Sequence, residues 1–173
     1  MEFPTKTIQL KNGANCLIRT LRQWDAADLQ QHRIHVREET PLFFREGEST
    51  NVFDLEQQAA FLETCRAFPL CGIVGAFAED KLIASADITI DSCITAASFS
   101  VSIRREFWGQ GLGSVLLEES IRLARQAGFG QVQLSVHKDN APAIGLYRKF
   151  GFAVLGERGE ELKMQLDLGA EPS

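Results

Sequence analysis

A chain of 173 residues with 45% apolar and 24% charged side chains is long enough for one globular domain with a core of its own. Its net charge of −5 speaks against nucleic acid as a partner and suits a cationic substrate. No apolar run approaches the ~18 residues of a membrane helix, and Met1-Glu2-Phe3-Pro4 has neither the basic nor the apolar region of a secretory signal, so a cytoplasmic location and no membrane partner are expected.

One domain over residues 1–173 is expected, with a disordered tail from about 169. Cys16, Cys65, Cys71 and Cys93 show no C-x-x-C or Cys/His ligand spacing and read as small core residues without a metal. The first strand is expected at 15–21, at or near a sheet edge. A helix should follow from Trp24 to about Glu38, with Asp25 or Asp28 near its positive end. Residues 41–50 read as a polar loop carrying Phe43, Phe44, Glu46 and Glu48. Asp54 is a cap candidate for a second helix to Arg66, with Leu55, Ala59 and Leu62 inward.

Residues 72–78 and 81–88 predict a hairpin about the turn Glu79-Asp80. Residues 96–103 alternate, with Ala97, Phe99, Val101 and Ile103 on one face and Ser98, Ser100 and Ser102 on the other. This strand runs into Arg105-Glu106-Phe107-Trp108-Gly109-Gln110-Gly111-Leu112-Gly113-Ser114, three glycines in five residues, where the backbone can turn sharply and meet a ligand closely. Leu112, Leu116, Ser120 and Leu123 then share one helical face, and Gly128 stands at the expected C-cap. A glycine turn opening a helix offers unpaired N–H groups and the positive dipole end, an anion site best suited to phosphate. No Gly-Lys-Ser/Thr follows, and the glycines run G-x-G-x-G, so neither a Walker loop nor the dinucleotide fingerprint fits. Residues 131–136 alternate again, so strand, helix and strand predict a right-handed parallel βαβ unit with the loop at the carboxyl end of its first strand. A short helix with Pro142 just inside and Gly151 just past it follows, and 152–156 and 161–168 predict a closing hairpin.

The hexamer Trp108-Gly109-Gln110-Gly111-Leu112-Gly113 resembles the pyrophosphate loop of the GNAT acetyltransferase superfamily, R/Q-x-x-G-x-G/A, departing at its first position, where Trp108 replaces Arg or Gln. The family pattern N-x-x-A-x-x-L-Y-x-x-x-G-F is met about 30 residues later by Asn140, Ala143, Leu146, Tyr147, Gly151 and Phe152 in register. The resemblance is strong from 96 to 156 and looser before. It implies an α/β fold: a mixed sheet of six to seven strands with a parallel pair splayed around a cofactor cleft, flanked by about four helices.

It also implies acetyl-CoA as co-substrate, its pyrophosphate on Gly109, Gln110, Gly111, Leu112, Gly113 and Ser114. The pantetheine arm would pair with the backbone of Val101 and Ile103. Tyr147 is the expected acid for the leaving thiolate, or else a half-buried aromatic beside Phe150 and Phe152. Asn140 is expected to contact the pantetheine or adenylate, to cap the helix begun by Pro142, or both. Some family members carry a glutamate base on the strand before the loop, where this chain has Ser98. Glu46, Glu48, Asp87 and His35, acting directly or through water, are then the candidates for deprotonating an alkylamine. The function implied is N-acetylation of a primary amine on a small molecule, peptide or protein. A non-catalytic acyl-CoA-binding domain is the alternative, and a homodimer is allowed.

Overall fold

The structure, a computed structural model, describes residues 1–43, 54–90 and 95–169. Glu46, Glu48, Phe44, Cys93 and all but the first residue of the expected tail lie outside them. Among the described residues the strands are β1 (Lys6–Gln9), β2 (Asn15–Thr20), β3 (Gly72–Ala78), β4 (Lys81–Ile90), β5 (Ala96–Ile103), β6 (Gln131–His137), β7 (Ala153–Arg158) and β8 (Glu161–Asp167). The helices are α1 (Ala26–Glu39), α2 (Leu55–Ala67), α3 (Leu112–Gln126) and α4 (Ala141–Lys149). The strands form one sheet in the order β1-β2-β3-β4-β5-β6-β8-β7. Only β5 and β6 pair in parallel, as the α3 crossover between them requires.

Local chemistry sets most of these limits. Asp54 Oδ1 accepts from Gln57 N at 2.8 Å, and Gln57 Oε1 accepts from Asp54 N at 3.2 Å, a reciprocal cap that starts α2. Glu79 and Asp80 take φ of 49° and 60°, the left-handed pair a two-residue hairpin needs. α3 ends at Gly128, φ 83°.

Two apolar layers sandwich the sheet. Beneath α1 and α2 lie Leu21, Leu29, Leu62, Ile73 and Leu82. Beneath α3 and α4 lie Ile18, Ile88, Phe99, Leu112, Leu116, Leu117 and Met164. Cys16, Cys65 and Cys71 are buried free thiols, as expected.

Two features differ from the sequence reading. Lys6–Gln9 adds a strand, so the expected first strand becomes the second, next to the edge. Four residues of which three are polar or charged carry too little alternation to be seen alone; β1 pairs antiparallel with β2, which templates it. The closing hairpin also inserts its second strand: β8 pairs with β6 and β7 becomes the outer edge.

One buried titratable group lies under α1. His32 is fully buried, its Nε2 2.8 Å from Ser102 Oγ, which is itself 3.0 Å from Ser85 Oγ. Burial first, and the Arg104 charge second, push its pKa down to about 4. The folded protein thus holds His32 neutral where the unfolded chain, with a histidine pKa of about 6.5, takes up a proton. The sign follows: this stability is complete above about pH 6.5 and is lost as pH falls towards 4, in total about 3 kcal/mol. Melting temperatures measured between pH 7 and 4.5 should fall for the native chain and fall less steeply for His32→Gln. Equal slopes would assign the acid sensitivity elsewhere.

Candidate functional site

The parallel ladder between β5 and β6 is short. It comprises Ala96–Gln131, Ala97–Val132 and Ser98–Gln133, and then stops. Both strands continue, β5 to Ile103 and β6 to His137, so the sheet opens into a cleft of about 220 Å³. Arg104 N donates to Ile83 O on the β4 side. By strand alternation, the main-chain groups of Phe99, Val101 and Ile103 therefore face the gap, not β4.

At the carboxyl end of β5 stands the glycine loop. Gly109 and Gly111 take φ of 73° and 94°, and a Cβ built on either meets nothing within 4 Å. The backbone conformation demands glycine there, and the space before it is open. The first α-type hydrogen bond of α3 runs from Val115 N to Gly111 O at 3.3 Å. The amides of Leu112, Gly113 and Ser114 precede it and form the donor end of a 15-residue helix. A Cβ at Gly113 would sit 3.1 Å from Leu146 Cδ2, so this glycine permits close approach to α4. The loop is anchored from outside: Gln110 Oε1 accepts from Asn12 N at 2.9 Å, and Lys6 pairs with Glu119 of α3 at 2.6 Å.

Trp108 supplies an anchor in place of a cation. Its Nε1 donates to Ile103 O at 2.8 Å, and Arg105 places its guanidinium 5.9 Å from the indole. Of the two expected main-chain contacts, the Ile103 carbonyl thus already accepts one bond, while Val101 lines the cleft directly. Arg105 N in turn donates to Glu39 Oε2 at the end of α1.

Tyr147 reaches the cleft from α4 and is 6% exposed. Its ring stands edge-on to Phe99, centroids 6.5 Å apart, and tilted against Phe152 at 5.8 Å. Asn140 also lines the cleft, and its Oδ1 accepts from Ala143 N at 3.3 Å, so its capping role is realised.

The cleft has two chemically different mouths. Asp87 is the cross-strand partner of Ser100, and Thr89 of Ser98, so these side chains share the sheet face on which α1 packs. Ser100 Oγ donates to Asp87 Oδ2 at 2.7 Å. Across the gap Ser135, His137 and Glu161 lie on the same face. Phe99, Val101, Val136 and Tyr147 belong to the opposite face, on the α3 and α4 side. Of the two expected base candidates among the described residues, Asp87 lines the cleft, whereas His35 is exposed on α1 and turns its Nδ1 to Gln31 O at 2.9 Å. The polar mouth as a set was not legible beforehand, because its members join only through the register of four strands.

A larger hollow of about 660 Å³ lies between residues 2–5, the end of β2 and the last turns of α3. Its arginines are each paired already, Arg19 with Asp25, Arg22 with Glu2 and Arg122 with Glu119. It presents no group poised for chemistry.

Residues 30–152 match the model of the acetyltransferase (GNAT) family. An acetyltransferase of the GNAT family from Streptococcus pneumoniae superposes with a TM-score of 0.81 at 29% identity, over 89% of this chain and 99% of that one. RimJ of Mycobacterium smegmatis, in complex with CoA-disulfide, has the same fold with a TM-score of 0.72 at 12% identity, over 94% of this chain and 86% of that one. Mycothiol acetyltransferase of Saccharomonospora viridis is 46% identical over 54 residues, 31% of this chain and 18% of that protein. The chain spans less than half the length of the curated relatives it matches.

Proposed function

The chain belongs to the acetyltransferase (GNAT) family, and we propose that it transfers the acetyl group of acetyl-CoA to the nitrogen of a primary amine. The observation that carries this reading is the cleft itself. The parallel ladder ends after Ser98 and Gln133 and leaves a gap with a polar mouth, and the strand that borders it, β5, leads on into the glycine loop and the donor end of α3. The residues present fit the co-substrate. Gly109 and Gly111 leave open space before the donor end of α3, where a pyrophosphate would accept charge-assisted hydrogen bonds from the amides of Gln110 to Ser114. Val101, facing the gap where the ladder has ended, would pair with the amide-bearing arm.

Acetyl-CoA supplies an activated carbonyl: the amine nitrogen bonds to the thioester carbon, the C–S bond breaks, and one proton is released overall for each ammonium consumed. The remaining work falls to the chain. Asp87, held by the Ser100 hydroxyl, takes the proton that an alkylammonium must lose before attack. The main-chain N–H of Val101 faces the carbonyl oxygen as charge develops there. Tyr147 donates to the departing sulfur and recovers a proton from the nitrogen side. One catalytic unit over the whole chain suffices for this chemistry. Among the described residues no helix is long and apolar enough to cross a membrane.

Release of free thiol from acetyl-CoA in the presence of a panel of primary amines tests the reading. Amine-dependent release is expected, and Asp87→Asn should lower it about 100-fold at neutral pH. Binding of acetyl-CoA without release for any amine would make the chain a binding protein and end the transferase reading.

A further inference from the structure

The junction between β5 and the glycine loop is pinned at three successive residues. Ile103 O accepts from Trp108 Nε1 at 2.8 Å, Arg104 N donates to Ile83 O at 2.9 Å, and Arg105 N donates to Glu39 Oε2 at 2.8 Å. The first bond comes from the loop itself and the second from the neighbouring strand. The third comes from the last residue of α1, 66 positions earlier in the chain. Within the turn at 105–107, Phe107 N donates to Arg104 O and Trp108 N to Arg105 O, and the side chain of Arg104 does not cap the turn. Arg105 N is therefore an orphan donor of its own turn, and the Glu39 carboxylate satisfies it from outside.

Glu39 also stands where the chain passes from helix to cleft. Thr40 N closes α1 on Val36 O at 3.2 Å, and Thr40 Oγ1 accepts from Leu42 N at 3.2 Å. The turn Pro41–Phe43 packs on β6, and Leu42 lines the cleft. Residues 39–43 thus span from the end of β5 to β6, beyond the point where the ladder between the two strands stops at Ser98 and Gln133. One end of this short segment holds the entrance to the glycine loop, and the other belongs to the cleft wall.

On the premise of the acetyl-transfer reading above, we propose that Glu39 is a positioning residue for acetyl-CoA. By holding Arg105 N, four positions before Gly109, it fixes the glycine loop against the cleft wall before the ligand arrives. The loop amides and the gap beside Val101 then stand in register for one ligand. A loop already held in its bound arrangement lowers the ordering cost of binding. Glu39 acts through the Arg105 backbone and takes no part in the chemistry. Electrostatics alone has the opposite sign: a carboxylate near an anion site weakens the binding of a dianion, and its removal would tighten it.

Isothermal titration of CoA into the full chain, native and with Glu39→Ala or Glu39→Gln, tests this. Glu39→Ala removes the acceptor and should weaken CoA binding about tenfold, the loss of one charge-assisted hydrogen bond. Glu39→Gln gives up the charge but keeps an oxygen acceptor at the same reach, and should bind within about threefold of the native chain. In the ligand-free proteins, hydrogen exchange over 105–114 should quicken in Glu39→Ala and hold in Glu39→Gln, with β4 and the melting temperature unchanged. CoA affinity that is unchanged or raised in Glu39→Ala, or an equal loss in both variants, would overturn the proposal while leaving acetyl transfer standing. Exchange quickened throughout α1 and β4 would make Glu39 a general stability element and overturn it as well. A native chain that binds no CoA would instead remove the reading on which the proposal rests, and the proposal with it.

Discussion

Replacing Tyr147 with phenylalanine should lower turnover by about 10- to 1000-fold, a loss in and just below the range usual for proton-transfer groups. The expectation rests on a separation of roles within one side chain. The ring is a packing element, edge-on to Phe99 and tilted against Phe152, and phenylalanine keeps both contacts. Only the hydroxyl is lost, at a residue that lines the cleft. KM for acetyl-CoA and the melting temperature should therefore change little while kcat falls. Because this is the chain's single tyrosine, no neighbouring phenol can take over. Undiminished turnover would make water the proton source and leave Tyr147 a core residue. A fall in melting temperature comparable to a core deletion would make the hydroxyl structural.

Gly111→Glu should abolish the stabilisation that CoA confers. At about 100 times its dissociation constant, a ligand that binds only the folded state contributes about 2.7 kcal/mol, which for a domain of this size raises the melting temperature by roughly 5–10 °C. Two effects add at this position. The residue sits at φ 94°, which a side chain tolerates poorly, and the new carboxylate would stand in the open space before the donor end of α3. Gly111→Ala separates them, since it carries the backbone strain, about 1–2 kcal/mol, without the charge. The expected series is a full shift for the native chain, a reduced one for Gly111→Ala and none for Gly111→Glu. A full shift in Gly111→Glu would place the phosphates elsewhere.

The glycine loop and the helix starts around it were legible in the sequence because their determinants are local. Glycines at fixed offsets, the apolar stripe of α3 and the Asn140–Pro142 start of α4 each act within one or two turns of chain. The polar mouth of the cleft was legible only in fragments. Asp87 could be named as one candidate base among four, but its pairing with Ser100 depends on β4–β5 register, and its relation to Glu161 on four strands and an inserted hairpin. Trp108 shows the same limit on a smaller scale. Its side chain reads as a departure from a motif, whereas in the fold its indole secures the carbonyl that ends β5. The order β6-β8-β7 follows from competition for one strand edge, which alternation within a strand does not encode.

The brevity of the β5–β6 ladder has a mechanical meaning as well. Among the described residues the strand pairing that stitches the five strands of residues 6–103 to the three of residues 131–167 is three residue pairs long, continued by one bond from Gly130 N to Thr95 O. As a sheet the molecule is two antiparallel blocks sharing a seam, with α3 as the strap across it. Such a seam is the natural line for sub-global opening, in which each half keeps its own antiparallel pairing while the join parts and amides along it exchange with solvent. A ligand laid into the gap as an added strand would lengthen that seam, so that occupancy and the cohesion of the two halves rise and fall together.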